Sequence, residues 1–117
     1  MRYNELTETK LYEKEAASLY VIKTMQPLAQ QYGVTVTLTA DGPNEIELTW
    51  IKRTTGEKGS GGKYLYDLTQ LADQNKVTIM LAVHMGSQKL IELYQKFGFV
   101  IHDEEDDADP VMVRQPQ

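Results

Sequence analysis

A chain of 117 residues with 41% apolar and 25% charged residues is one ordinary globular domain, and its length leaves no room for a multidomain machine. The absence of cysteine excludes a disulfide framework and any thiolate nucleophile or metal ligand. The net charge of −5 is local, since Asp103, Glu104, Glu105, Asp106, Asp107 and Asp109 stand together and the remaining residues sum to +1; a near-neutral body of this kind carries no nucleic-acid footprint.

The chain contains no apolar run of membrane-spanning length, and its first residues, MRYNELTETK, lack the apolar core of a signal peptide. A cytoplasmic protein without membrane or nucleic-acid partners is therefore expected. From about Thr9 to Tyr32, apolar residues recur at helical spacing (Tyr12, Ala16, Leu19, Tyr20, Ile22, Met25, Ala29, Tyr32). Pro27 either kinks this region or begins a second helix, and Gly33 closes it. Val34 to Thr39 alternates with β-branched residues, Asp41-Gly42-Pro43-Asn44 has turn chemistry, and Glu45 to Ile51 alternates again. These strands should pair antiparallel, with Ile46, Leu48 and Trp50 on one face and Glu45, Glu47 and Thr49 on the other.

A loop from Lys52 to Gly62 ends in Gly59-Ser60-Gly61-Gly62 and leads into a helix over Gly61 to Gln74, with Leu65, Leu68, Leu71 and Ala72 on one stripe. Val77 to Val83 is a nearly continuous apolar strand, the pattern of a strand covered on both faces. Ser87 caps a helix carrying Leu90, Leu93, Tyr94 and Phe97, which ends at Gly98 in a left-handed cap. Phe99 to Ile101 is a short strand, the acidic run is a solvated turn, and Val111 to Arg114 is a returning strand. The order predicts a single α/β domain spanning 1–117, built on a mixed sheet.

A glycine cluster between a strand and a helix presents free backbone N–H groups at a helix N-terminus, where an anion is favoured. Taken alone, the glycines fit either a phosphate cradle or a plain flexible connection. Neither better-known cradle matches: Glu57 and Tyr64 break the P-loop spacing, and Tyr64 breaks the dinucleotide fingerprint.

From Ile46 to Arg114 the sequence resembles the GCN5-related N-acetyltransferases. The most specific element is Leu93-Tyr94-Gln95-Lys96-Phe97-Gly98-Phe99, and the family's loop pattern falls on Glu57, Ser60, Gly62 and Leu65, with departures at Glu57 and Ser60. The resemblance implies a mainly antiparallel central sheet flanked by helices, with a reduced N-terminal part. In compactness the chain is similar to small phage-encoded and mobile-element acetyltransferases. The implied cosubstrate is acetyl-coenzyme A. The implied cofactor contacts are Trp50, Ile51 and Lys52 along the pantetheine arm, Lys58, Gly59, Ser60, Gly61, Gly62 and Lys63 at the pyrophosphate, and Ser87 and Tyr94.

The expected reaction is direct attack of a primary amine on the thioester, the acceptor being a protein lysine, a polyamine or a small amine. Tyr94 is the candidate proton donor to the leaving thiolate, because a phenol releases its proton only as charge develops on sulfur. Glu47 is the candidate base, with Glu45 second, and His84 offers a relay near neutrality. Backbone donors near Met80 to Ala82 would polarise the carbonyl. A negative rim at the acidic turn would attract a basic acceptor such as a protein. Glu57, Ser60 and the short front also motivate an alternative, a binding module of the same fold that has lost catalysis. The resemblance leaves a homodimer through the terminal strands open, and no metal site is expected.

Overall fold

The computed structural model describes residues 16–55, 57–103 and 109–117. Helix α1 (Ala17–Tyr32) passes through Pro27 as one element and ends at Gly33, whose left-handed φ of 73° receives the last turn. Residues 9–15, the front of the helical region expected from the sequence, lie outside the described residues. The helix is fixed on both sides of the proline. Met25 and Ala29 are buried, and the Gln26 amide donates to Val36 O (2.7 Å) and accepts from Leu38 N (2.9 Å).

Strands β1 (Val34–Ala40) and β2 (Glu45–Arg53) pair antiparallel, as the turn residues between them predict. Helix α2 (Ser60–Gln74) then crosses to β3 (Thr78–Ala82), which lies parallel to β2. A 3-10 turn over His84–Gly86 leads to α3 (Gln88–Lys96), followed by β4 (Val100–Asp103) and β5 (Val111–Arg114). The strands are ordered β1-β2-β3-β5-β4, and every neighbouring pair except β2 and β3 is antiparallel. The expected mixed, mainly antiparallel α/β sheet is therefore present. The acidic turn lies almost wholly outside the described residues.

One sheet face is apolar and buried, formed by Val36, Leu38, Ile46, Leu48, Ile79, Leu81 and Met112. Helices α1, α2 and α3 contribute Val21, Met25, Leu65, Leu68, Ile91 and Tyr94 to that same core. On the other face Thr35, Thr37, Thr39, Glu45 and Glu47 are exposed, while Met80, Val111 and Val113 are half-buried. The apolar run at Val77 to Val83 thus alternates between a buried and a less buried side, and is not enclosed on both faces. Its odd-numbered members, Val77, Ile79, Leu81 and Val83, fill the core.

A second difference concerns β2. Thr37 pairs with Trp50 but Leu38 pairs with Leu48, so Thr49 is an extra residue in β2 and forms a bulge. A one-residue slip exchanges the two faces of a strand. Position 50 therefore leaves the face shared by Ile46 and Leu48, and half-buried Ile51, opposite Val36, takes that face instead.

Arg114 ties the end of the chain to the helical layer. Its buried guanidinium donates to Asp73 through two bonds of 2.6 and 3.0 Å and to Phe97 O at 2.5 Å, and Asp73 also accepts from Gln117 N. This fork joins β5, the end of α2 and the end of α3 through charge-assisted bonds.

Candidate active site

The bulge opens the sheet. The β2 and β3 ladder runs from Glu45 opposite Thr78 to Leu48 opposite Leu81 and stops there. Trp50 to Arg53 remain paired with β1 beyond the end of the β3 ladder, so Trp50 and Ile51 present a backbone edge toward the space that β3 has left. Such an edge offers amide donors and acceptors to an extended ligand. The notch contains a cavity of about 240 Å³ lined by Leu48, Thr49, Ile51, Leu81, Ala82, Val83, His84, Leu90 and Tyr94.

Tyr94 closes this cavity from α3. It is 5% exposed, and its ring packs against Phe99 at 5.6 Å between centroids. Its hydroxyl makes no hydrogen bond to another described residue, which is unusual for a buried polar group. Burial raises its pKa above the ordinary tyrosine value, so the phenol is neutral near pH 7. Met80, on the last paired rungs, is engaged opposite Glu47, while Ala82 and Val83 border the cavity directly.

At the other end of the β2 edge stands the N-terminus of α2. Gly59 is its cap with φ 96°, a left-handed conformation that favours glycine, and no side chain caps the helix. Ser60 donates to Glu57 O through its amide (2.9 Å) and hydroxyl (2.6 Å), and the Lys63 amide donates to Gly59 O (3.0 Å). The two residues that depart from the family's loop pattern thus form one local turn. The amides of Gly61 and Gly62 have no partner among the described residues.

A Cβ placed on Gly59, Gly61 or Gly62 would meet nothing within 4 Å. Among the described residues no packing contact calls for glycine at positions 61 and 62, even though glycine there weakens the helix. Close approach by another molecule is a reason for their presence. A cavity of about 610 Å³ lies at this turn, lined by Lys58, Gly59, Ser60 and Lys63 together with Gln31, Tyr32, Thr55 and Glu57.

Tyr32 and Lys63 also border a neighbouring cavity of about 630 Å³, completed by Gly62, Tyr66, Asp67 and Phe97. The Tyr32 hydroxyl bonds to Asp67, which raises the phenol pKa, and its ring meets Tyr64 edge-on at 5.5 Å. Tyr66 is 54% exposed.

The structure therefore gathers Ile51, Tyr94 and the backbone of Trp50 and Lys52 at the notch, and Lys58 to Lys63 at the helix N-terminus. Ser87 caps α3 as its sequence position predicts, its hydroxyl accepting from Leu90 N at 3.3 Å. Glu47 and Glu45 are exposed on the sheet face opposite the buried one, and neither is among the residues lining the cavity. Sequence reading missed Thr49, Tyr32, Tyr66 and Asp67. Tyr66 and Asp67 follow Gly62 and Lys63 by one helical turn, and that spacing was the available signal. No group of three or more metal-binding side chains occurs among the described residues.

The sequence matches no protein-family model and no curated protein. Solved structures do match. Ard1 from Thermoplasma volcanium aligns with a TM-score of 0.59 and 17% identity over 72% of this chain and 63% of that one. The ribosomal-protein-S18-alanine N-acetyltransferase from Escherichia coli aligns at 0.60 and 18%, over 73% and 62%. This chain thus spans less than two-thirds of the length of either protein. The PaiA N-acetyltransferase from Thermoplasma acidophilum, in complex with coenzyme A, aligns at 0.58 and 18% over 98% of this chain and 80% of that one. With the parted β2 and β3, the glycine turn at α2 and the buried tyrosine of α3, these likenesses show that the chain has the GCN5-related N-acetyltransferase fold.

Proposed function

We propose that this protein is an acetyl-coenzyme A dependent N-acetyltransferase acting on a primary amine. The observation that carries the reading is the start of α2, where a Cβ on Gly61 or Gly62 would meet nothing within 4 Å and where a cavity lined by Lys58, Gly59, Ser60 and Lys63 stands beside them. The coenzyme's pyrophosphate is the anion that fits there: the Gly61 and Gly62 amides and the helix dipole receive it, and Lys58 and Lys63 add charge. Tyr32, Tyr66 and Phe97 supply aromatic walls for the adenosine end in the adjoining cavity. The pantetheine arm follows β2 at Trp50, Ile51 and Lys52, and brings the thioester to the notch beneath Tyr94.

Tyr94 acts at the thioester, and Glu47 at the acceptor's approach. The neutral phenol of Tyr94 protonates the leaving thiolate, a role that its raised pKa suits because the proton is held until charge develops on sulfur. Glu47 lies one residue before the notch on the exposed sheet face, where its carboxylate favours approach of a cationic acceptor. A protein lysine, a polyamine or a small amine has the required chemistry. Binding of acetyl-coenzyme A should raise the melting temperature with ligand concentration, and thiol release should follow on addition of an amine. No thermal shift at millimolar acetyl-coenzyme A would refute this reading.

A further inference from the structure

Among the described residues nine line the cavity beneath Tyr94, and of these nine Tyr94 and His84 carry ionisable side chains. Leu48, Thr49, Ile51, Leu81, Ala82, Val83 and Leu90 have no side chain able to accept a proton from an amine. Tyr94 is buried and held neutral, which makes it a proton donor. Acyl transfer to an amine also needs an acceptor for the proton that leaves nitrogen.

We propose that His84 is that acceptor, the general base that takes the proton from the attacking amine at the mouth of the notch. The proposal rests on the acetyltransferase reading above. Neutral amine nitrogen attacks the carbonyl carbon, forming the C–N bond as the C–S bond breaks. One amine proton passes to the imidazole, and the thiolate takes the Tyr94 proton. The products are the amide and the free thiol. His84 then discharges its proton to water while Tyr94 regains one, so the enzyme returns to its starting state with no other reactant.

The backbone holds this histidine at the rim of the cavity. Val83, 1% exposed, donates to Pro110 O (2.9 Å), Gly86 donates back to Val83 O (3.1 Å), and Ser87 donates to His84 O (3.4 Å). Gly86 takes a φ of 59°, which lets the chain turn sharply from β3 into α3. The side chain itself is exposed, as a base that must exchange its proton with water in each cycle requires, and the donor Tyr94 lies inside. Imidazole is also the side chain suited to accept and release a proton near neutral pH. From α3, Tyr94 shares the cavity and Lys89 stands in the first turn; β2 presents uncharged Leu48, Thr49 and Ile51; and Asp109 precedes Pro110, whose carbonyl anchors Val83. Glu47, on the other face of the sheet, does not border this cavity.

The test compares wild type, His84→Gln, His84→Gly and Glu47→Gln by thiol release from acetyl-coenzyme A with an amine acceptor between pH 5.5 and 9, alongside thermal shift by acetyl-coenzyme A. His84→Gln should lower kcat/KM about 100-fold near pH 7 and remove the rise of rate through the neutral range, while keeping the ligand-induced thermal shift. Added imidazole should restore part of the His84→Gly rate. A pH profile unchanged in His84→Gln overturns the assignment, as does loss of the neutral limb in Glu47→Gln alone. Wild-type protein that binds acetyl-coenzyme A but acetylates no amine overturns the acetyltransferase reading, and this proposal with it.

Discussion

Replacing Gly61 and Gly62 together with alanine should move stability and ligand affinity in opposite directions. Both positions lie in the first turn of α2, neither has the positive φ that strains an L side chain, and an added Cβ meets nothing within 4 Å. Alanine is favoured over glycine by about 1 kcal/mol in a helix interior, so roughly half that per site is expected in a first turn, or about 1 kcal/mol for the pair. With an unfolding entropy of about 2.1 cal/mol/K per residue, a chain of this length gains roughly 4 °C in Tm. The two methyl groups would occupy the space through which a pyrophosphate reaches the amides, so acetyl-coenzyme A affinity should fall at least 10-fold. Calorimetric melting with and without the ligand reads both effects: the apo protein melts higher and the ligand-induced shift shrinks. Gly59→Ala provides the contrast. Its φ of 96° makes that substitution cost about 1–2 kcal/mol. An apo protein destabilised by the double substitution, or one that binds the ligand unchanged, would refute the argument that these glycines answer to another molecule.

Asp73→Asn should destabilise the fold by about 3 kcal/mol at pH 7, since it leaves the Arg114 guanidinium buried against a neutral partner. The Arg114 bonds hold the Asp73 carboxyl below its ordinary value; its stabilising contribution is thus present above the unfolded carboxylate pKa near 4 and is lost as pH falls through the folded value. Denaturant midpoints measured from pH 7 to pH 2 should fall less steeply in the variant than in wild type. Tyr94→Phe should lower kcat by a factor of 10–1,000 and leave the melting temperature within about 2 °C, because the hydroxyl has no partner among the described residues to lose. Tyr66→Ala should raise KM for acetyl-coenzyme A several-fold without changing KM for acetyl-pantetheine, which has no adenosine to stack; equal effects on the two thioesters would place the adenosine elsewhere.

Much of this architecture is written in local patterns. The alternation of Val34 to Thr39, the turn at Asp41 to Asn44, the Ser87 cap and the left-handed Gly98 each dictate their element from neighbouring residues, and the structure follows them. Burial was less legible. Val77 to Val83 is apolar at almost every position, and only its neighbours decide which side meets the helices. The Arg114 fork was invisible for the same reason: Asp73 and Arg114 lie 41 residues apart and meet only because β5 returns beside β3. Tyr32 and Asp67 likewise join two helices whose packing no local spacing announces.

The misread register of β2 bears most on function. Glu45 to Ile51 alternates without interruption, and alternation assigns Trp50 to the same face as Leu48. Nothing in that segment marks Thr49 as a bulge, because bulges need no special residue when the partner strand accepts the slip. Yet the slip ends the β2 and β3 ladder at Leu48, turns Ile51 toward the core and leaves the cavity that Tyr94 and His84 border. A sheet that kept the alternation would extend its pairing beyond Leu48 and close over this space. The departure from local pattern is therefore what creates the candidate site, consistent with the tendency of proteins to break local rules where they act. Shortening β2 by deletion of Thr49 should restore the regular pairing and abolish acetyl-coenzyme A binding even if the domain remains folded; retention of both cavity and binding would show that the opening has another cause.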